Sequence, residues 1–191
     1  FVIGVGSGTT VVISQLFGAR QYQKVQLAFS SFFIFMLVGG VLLSIAGIIF
    51  AEPVFRLTNT PEEVIPQAVA YFRIYIGGTF LFVTFNSIIS ILRGVGESVR
   101  PMLFILITTV LNIAFDLLFI LVFKWGIEGA ARATVISQGI GMYISLAYVN
   151  NTHPLLSIKK QDMLFDWELF KKSLKIGLPT SVQQCAIALG L

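Results

Sequence analysis

The sequence predicts an all-α integral membrane protein, a polytopic bundle of transmembrane helices. Three observations predict it. Hydrophobic residues make up 56% of the chain and charged residues 12%, about half the charged share of an ordinary soluble domain. The mean hydropathy is +0.89. The apolar residues, 18 phenylalanines among them, gather in stretches long enough to cross the roughly 30 Å hydrocarbon core of a bilayer. None of these stretches alternates polar and apolar residues as a barrel strand would.

Six apolar stretches follow one another: Phe1–Phe17, Val25–Phe50, Ala68–Leu92, Pro101–Phe123, Ile127–Val149 and Gly177–Leu191. The middle four are each roughly 25 residues long, enough to span with some tilt. The chain opens at Phe1 and closes on "AIALGL", each inside an apolar stretch. With no basic n-region the start is not a signal peptide, so the chain is expected to be a piece of a longer protein.

The connections carry turn chemistry. In "TNTPEEVIPQ", Thr60 is expected to cap a helix, with Pro61 at its first position, Glu63 closing a capping box and Pro66 bending the lead-in. "RGVGESVRP" (Arg93–Pro101) reads as a tight loop whose glycines end one helix and whose proline opens the next. "FKWGIEG" is a second tight turn. The longest polar stretch, Asn150 to Lys175, ends in "DWELFKKSLKI". That segment is expected to form an amphipathic helix at the membrane interface, with Trp167, Phe170 and Leu174 on its apolar face. Gly39–Gly40 and Gly77–Gly78 are expected packing or bending points.

Basic residues set the orientation. Arg20, Lys24, Arg93, Arg100, Lys159, Lys160, Lys171, Lys172 and Lys175 fall on one side, and Arg56, Arg73, Lys124 and Arg132 on the other. The first and larger group belongs in the cytoplasm. The net charge of +4 then reports basic loops and not a nucleic-acid partner. The single cysteine, Cys185, excludes an internal disulfide. There is no P-loop, no HExxH, no metal-ligand cluster and no nucleophile paired with a base, so an enzyme is not indicated. "GVGSGTT" (Gly4–Thr10) has no strand before it and reads as close helix packing. His153 lies in a polar loop and is expected to be solvated.

The residues that can carry chemistry are polar and intramembrane. Thr108, Asn112 and Asp116 are spaced i, i+4, i+8 and share one helical face. Asp116 lies about 6 Å beyond Asn112 along the axis. On the next stretch Ala130, Thr134, Ser137, Gln138, Gly141 and Ser145 form a small and polar stripe. The tight turn makes the two helices antiparallel neighbours, with Thr134 near the depth of Asp116. Asn and Thr serve widely as interhelical glue. An intramembrane carboxylate is different, because packing does not require one. Asp116 is therefore the primary candidate site, with Asn112 and Thr134 as co-ligands. Carboxylate, amide and hydroxyl oxygens suit Na⁺ or a shared proton. Asn86, Gln138 and Thr108 are candidates for lining a cavity.

In order along the chain, five motifs resemble the MATE family of multidrug and toxic compound extrusion transporters. "SQLFGAR" (Ser14–Arg20) is similar to the end of the family's second helix. "ILRGVGESVRPM" (Ile91–Met102) resembles its LRG-x-GD-x-x-x-P loop, and "LNIAFDLLFI" (Leu111–Ile120) its N-x-x-x-D-P-x-x-I pattern. "GIEGAARATVISQ" (Gly126–Gln138) resembles the start of the sixth helix and "KIGLPTSVQQ" (Lys175–Gln184) the opening of the seventh.

The resemblance implies part of a twelve-helix, two-lobe transporter that exports drugs or toxins across the cytoplasmic membrane in exchange for H⁺ or Na⁺. Its cation site would use Asp116, Asn112 and Thr134, with those three as metal ligands only if the ion is Na⁺. No other cofactor and no nucleic acid are implied, and the transporter is expected to be monomeric. Residues 1–149 would form the amino-terminal lobe from the end of helix two through helix six. Residues 150–176 would form a cytoplasmic linker with the amphipathic helix, and 177–191 the start of helix seven. A related flippase for lipid-linked oligosaccharides is the alternative. Such flippases carry basic residues in the central cavity, whereas Arg73 and Arg132 lie near the outer rim. Two departures stand out. Glu97 replaces the family's loop aspartate, a change expected to be neutral, and Leu117 replaces the proline after the site aspartate.

Overall fold

Long apolar segments satisfy their backbone hydrogen bonds internally only as helices, and helices are what form. The computed structural model describes residues 2–58, 61–153, 156 and 164–188. In chain order come α1 (Val2–Gly18), α2 (Tyr22–Leu57), α3 (Ile65–Gly77), α4 (Thr79–Gly94), α5 (Val99–Leu117), a π-helical turn (Leu118–Val122), α6 (Gly126–Thr152) and α7 (Trp167–Ala188). Among the described residues there is no strand.

α4 is the centre of the bundle and packs on α1, α2 and α6, while α1 packs on α7 and α5 on α6. The core between α1, α2 and α4 is built from Val12, Ile13, Phe29, Phe32, Ile88 and Leu92. The opposite faces stay apolar but uncovered: Leu42, Ile49 and Phe50 on α2 and Met102, Leu106 and Val110 on α5 are all more than half exposed. On a soluble protein a patch of that extent would be an aggregation hazard; its composition suits contact with lipid.

Among the described residues, three helical segments are long and apolar enough to cross a membrane: Tyr22–Leu57, Ile65–Gly94 and Val99–Val122. α6, also expected to span, has the length but not the hydropathy. Its many small and polar residues explain this: Ser137, Gly141 and Ser145 of the stripe are buried in the bundle, as are Gly129, Ala131 and Ala133, while Ala130, Thr134 and Gln138 are part-buried.

Several boundaries differ from expectation. Pro61 to Val64 form a turn and α3 begins at Ile65, with Val64 at the N-cap and Pro66 in the first turn. Glu63 thus lies before the helix and not at its third position, and Pro66 starts the helix where bending was expected. Thr60 lies outside the described residues, as do Lys159 and Lys160. Proline fits the first turn because its missing N–H is unpaired there anyway, and Pro66 meets that condition as well as Pro61 would. The third apolar stretch is broken at Gly78, which caps α3. A Cβ at Gly78 would run into the Val135 side chain of α6, so this glycine both ends one helix and admits its neighbour. The loop after α4 closes on Gly96 at φ +91°, a conformation that favours glycine. α5 then starts two residues before Pro101.

The amphipathic segment and the stretch that opens at Gly177 lie on one continuous helix, α7. Asp166 caps it through Oδ1, which accepts from the Leu169 N–H at 2.9 Å. The Asp166 N–H donates to Ser31 Oγ of α2 at 2.7 Å, and the Phe170 ring lies 4.5 Å from that of Phe35. Phe170 is buried against α2 and Leu174 packs on the core, so this face meets the bundle where the membrane interface was expected. Trp167 is 60% exposed, so it does not share that buried face.

The charge pattern makes a topological prediction. A cysteine at the exposed Glu63 should react with an impermeant thiol reagent in intact cells, and one at the exposed Glu168 should not, in a background lacking Cys185. The reverse labelling would invert the orientation.

Candidate functional site

α5 and α6 are joined at three levels. Toward the turn, the rings of Phe115 and Phe119 stack at 5.7 Å and those of Phe119 and Phe123 at 5.9 Å. Trp125 packs 5.0 Å from Phe119. The Arg132 guanidinium carbon lies 4.8 Å from the Trp125 ring centroid while Arg132 pairs with Glu128 at 2.9 Å. Farther along, Thr108 is buried and donates to the Ile105 carbonyl at 2.8 Å. A Cβ at Gly141 of α6 would collide with the Thr108 methyl.

Between these two levels lies the polar pair. The Asn112 amide donates from Nδ2 to Thr134 Oγ1 at 3.3 Å, and the Thr134 hydroxyl donates to the Ala130 carbonyl at 3.1 Å. That leaves Thr134 with a lone pair, and Asn112 with its side-chain carbonyl, as oxygen ligands. Asp116 follows Asn112 by one helical turn, and its Oδ1 is buried with no hydrogen-bond partner. The magnitudes separate it from its neighbours. An Asn–Thr bond between membrane helices contributes about 0.6 kcal/mol, whereas a buried unsatisfied polar atom costs about 1–3 kcal/mol, more if charged. Packing alone does not recover that cost. The donor set of carboxylate, amide and hydroxyl oxygens is chemically compatible with a cation or a proton.

The cavity-lining candidates do not share a cavity. Gln138 and Thr134 line one of about 240 Å³ with Tyr75, Thr79 and Phe82, and the Gln138 Oε1 is also buried without a partner. Asn86 lines another, of about 520 Å³, with Ser7, Thr10 and Arg93. Its amide donates to the Phe82 carbonyl at 2.8 Å. Thr108 is packed against Gly141.

Two features escaped the sequence reading. The backbone passes into a π-helical turn at Leu118, two residues after Asp116, and such turns recur at functional sites. The Phe115, Phe119, Phe123 spacing at i, i+4, i+8 was the available signal for the aromatic stack that accompanies it. The second is Glu97. It is half-buried and bonded to Tyr148 and to His153, which was expected to be solvated.

The MatE family model matches residues 1–118. "Probable multidrug resistance protein YpnP" of Bacillus subtilis is 35% identical over the whole of this chain, which covers 42% of that relative. Among solved structures, an inward-facing multidrug resistance MATE family transporter of the MOP superfamily superposes with a TM-score of 0.89 at 29% identity. That match takes in 98% of this chain and 43% of the other. An outward-facing form gives 0.90 at 28% identity, over 98% and 42%. The chain thus spans about two fifths of the length of the proteins it matches.

Proposed function

The chain belongs to the MATE family described by the MatE model, and on that premise we propose that it is the amino-terminal part of a cation-coupled multidrug antiporter. It would export organic, often cationic or aromatic compounds across the cytoplasmic membrane in exchange for H⁺ or Na⁺. The observation that carries this reading is the buried, unpartnered Asp116 Oδ1 beside the Asn112–Thr134 bridge of α5 to α6.

Charge neutralisation at Asp116 supplies the coupling. With the site empty and ionised, the uncompensated oxygen disfavours the packing that buries it; with a cation or proton present, that packing is favoured. A ligand shifts such an equilibrium only through its different affinity for the two states, and a buried carboxylate provides that difference. The near-equal match to inward-facing and outward-facing relatives supports alternating access in which this lobe moves largely as a body.

The test is ethidium export from everted vesicles that contain the full-length protein. Export under a pH gradient or a Na⁺ gradient is expected, and the gradient that works identifies the ion. Well-expressed protein that exports under neither would refute the antiport reading. Thr134→Ala removes one neutral ligand and the bridge to Asn112. It should weaken the apparent ion affinity about fivefold while leaving maximal export largely intact. An unchanged ion dependence would remove Thr134 from the site.

A further inference from the structure

A second polar cluster lies at the end of the bundle away from Asp116. Gly96 turns the chain so that the Glu97 N–H reaches the Leu92 carbonyl at 2.9 Å. The Glu97 carboxylate accepts from the Tyr148 hydroxyl, 3.1 Å from each oxygen. Its Oε1 lies 2.9 Å from His153 Nε2. Tyr148 belongs to the last turns of α6, and His153 is the C-cap where the chain leaves that helix. Phe104 of α5 packs edge-on against the Tyr148 ring at 5.4 Å. The His153 ring sits 5.8 Å from it on another side, and the Arg100 guanidinium carbon 5.6 Å from its centroid. The charged and titratable groups on the cluster, among the described residues, are thus Glu97 and Arg100 from the loop and α5, with Tyr148 and His153 from α6.

We propose that Glu97, Tyr148 and His153 form a proton-sensitive latch that ties the α4–α5 loop to the point where the chain leaves α6. Tyr148 supplies a constant hydrogen bond and His153 the variable one. A neutral imidazole donates a single hydrogen bond from Nε2. An imidazolium makes the same contact an ion pair, with a stronger charge-assisted bond. Histidine is the side chain whose charge ordinarily changes between about pH 5 and 8. The latch therefore tightens as the pH on this face falls and loosens as it rises. The pairing side chains are 24% and 28% exposed, so solvent screens the gain and the response is graded. Glutamate length matters here. The carboxylate bridges two groups on another helix, and the shorter aspartate of the family pattern would have to draw the loop inward to do so.

A nitroxide label reports the latch without itself titrating. Ser98 is exposed and makes no side-chain capping bond, so Ser98→Cys carries the label. The protein is full-length and lipid-reconstituted, with every other cysteine, Cys185 included, replaced. The ratio of immobilised to mobile label should rise about threefold between about pH 8 and about pH 6, in keeping with a partly exposed pair. His153→Gln keeps an amide donor but cannot titrate, and its profile should be flat. Glu97→Gln should be flat as well, so either variant decides the matter if the other fails to reach the membrane. Asp116→Asn should respond as the wild type does, which separates the latch from ion coupling. A flat wild-type profile would overturn the proposal. So would a wild-type response in His153→Gln or Glu97→Gln, or loss of the response in Asp116→Asn.

Discussion

Asp116→Asn should abolish gradient-driven export while the protein still folds and reaches the membrane. Asparagine keeps the shape of the side chain but not its capacity to take up and release a proton or to neutralise a cation. Folding should not suffer, because Asp116 Oδ1 has no hydrogen-bond partner to lose and removing an uncompensated buried charge relieves a cost. The variant therefore separates coupling from stability. Dye export should fall to the level of empty vesicles under both pH and Na⁺ gradients, with membrane expression near wild type. Full export by a normally expressed variant would return Asp116 to the role of structural glue.

Gly8→Val should have the largest effect on stability. A Cβ at Gly8 of α1 would collide with the Ser173 carbonyl and the Gly177 backbone of α7. These are main-chain atoms, which cannot rotate away as a side-chain tip can, so the two helices must separate. Overpacking of this kind costs about 1–3 kcal/mol, and occasionally more. The thermal midpoint in detergent should drop by several degrees, about 2–4 °C for each kcal/mol in a domain of this size. Gly39 is the control, because a Cβ there meets nothing within 4 Å and Gly39→Val should leave the midpoint unchanged. Equal midpoints for the two variants would show that α1 and α7 are not in backbone contact.

Much of this was legible because membrane helices announce themselves. The apolar stretches located the helices, although α2 runs seven residues past its stretch and α7 starts ten residues before its own, and the i, i+4, i+8 spacing of Thr108, Asn112 and Asp116 placed them on one face. The facing stripe on α6 followed from the tight turn, and the Asn112–Thr134 bond is its direct expression. What was not legible depends on partners distant in sequence. Gly78 breaks its stretch where Val135 of α6 approaches, and nothing in "IGGTF" says so. Pro61 and Pro66 were equivalent helix starters by local rules, and the second was the one used. The π-helical turn coincides with the packing of Phe119 and Phe123 against Trp125, which local sequence rules do not describe. His153 looked solvated because its partner Glu97 is 56 residues away. The cavity candidates separated for a similar reason. Asn86 on α4 and Gln138 on α6 both carry amides, but they line different cavities, a matter of helix rotation that composition does not encode.

The most direct test of the coupling claim is the movement of the ion itself. Purified full-length protein is placed in liposomes, a cationic drug is added on one side, and proton and sodium fluxes are followed with a pH-sensitive dye and radioactive sodium. Drug-dependent flux of one ion is predicted for the wild type and none for Asp116→Asn, even where the variant still binds drug. Undiminished drug-dependent flux through Asp116→Asn would contradict the account.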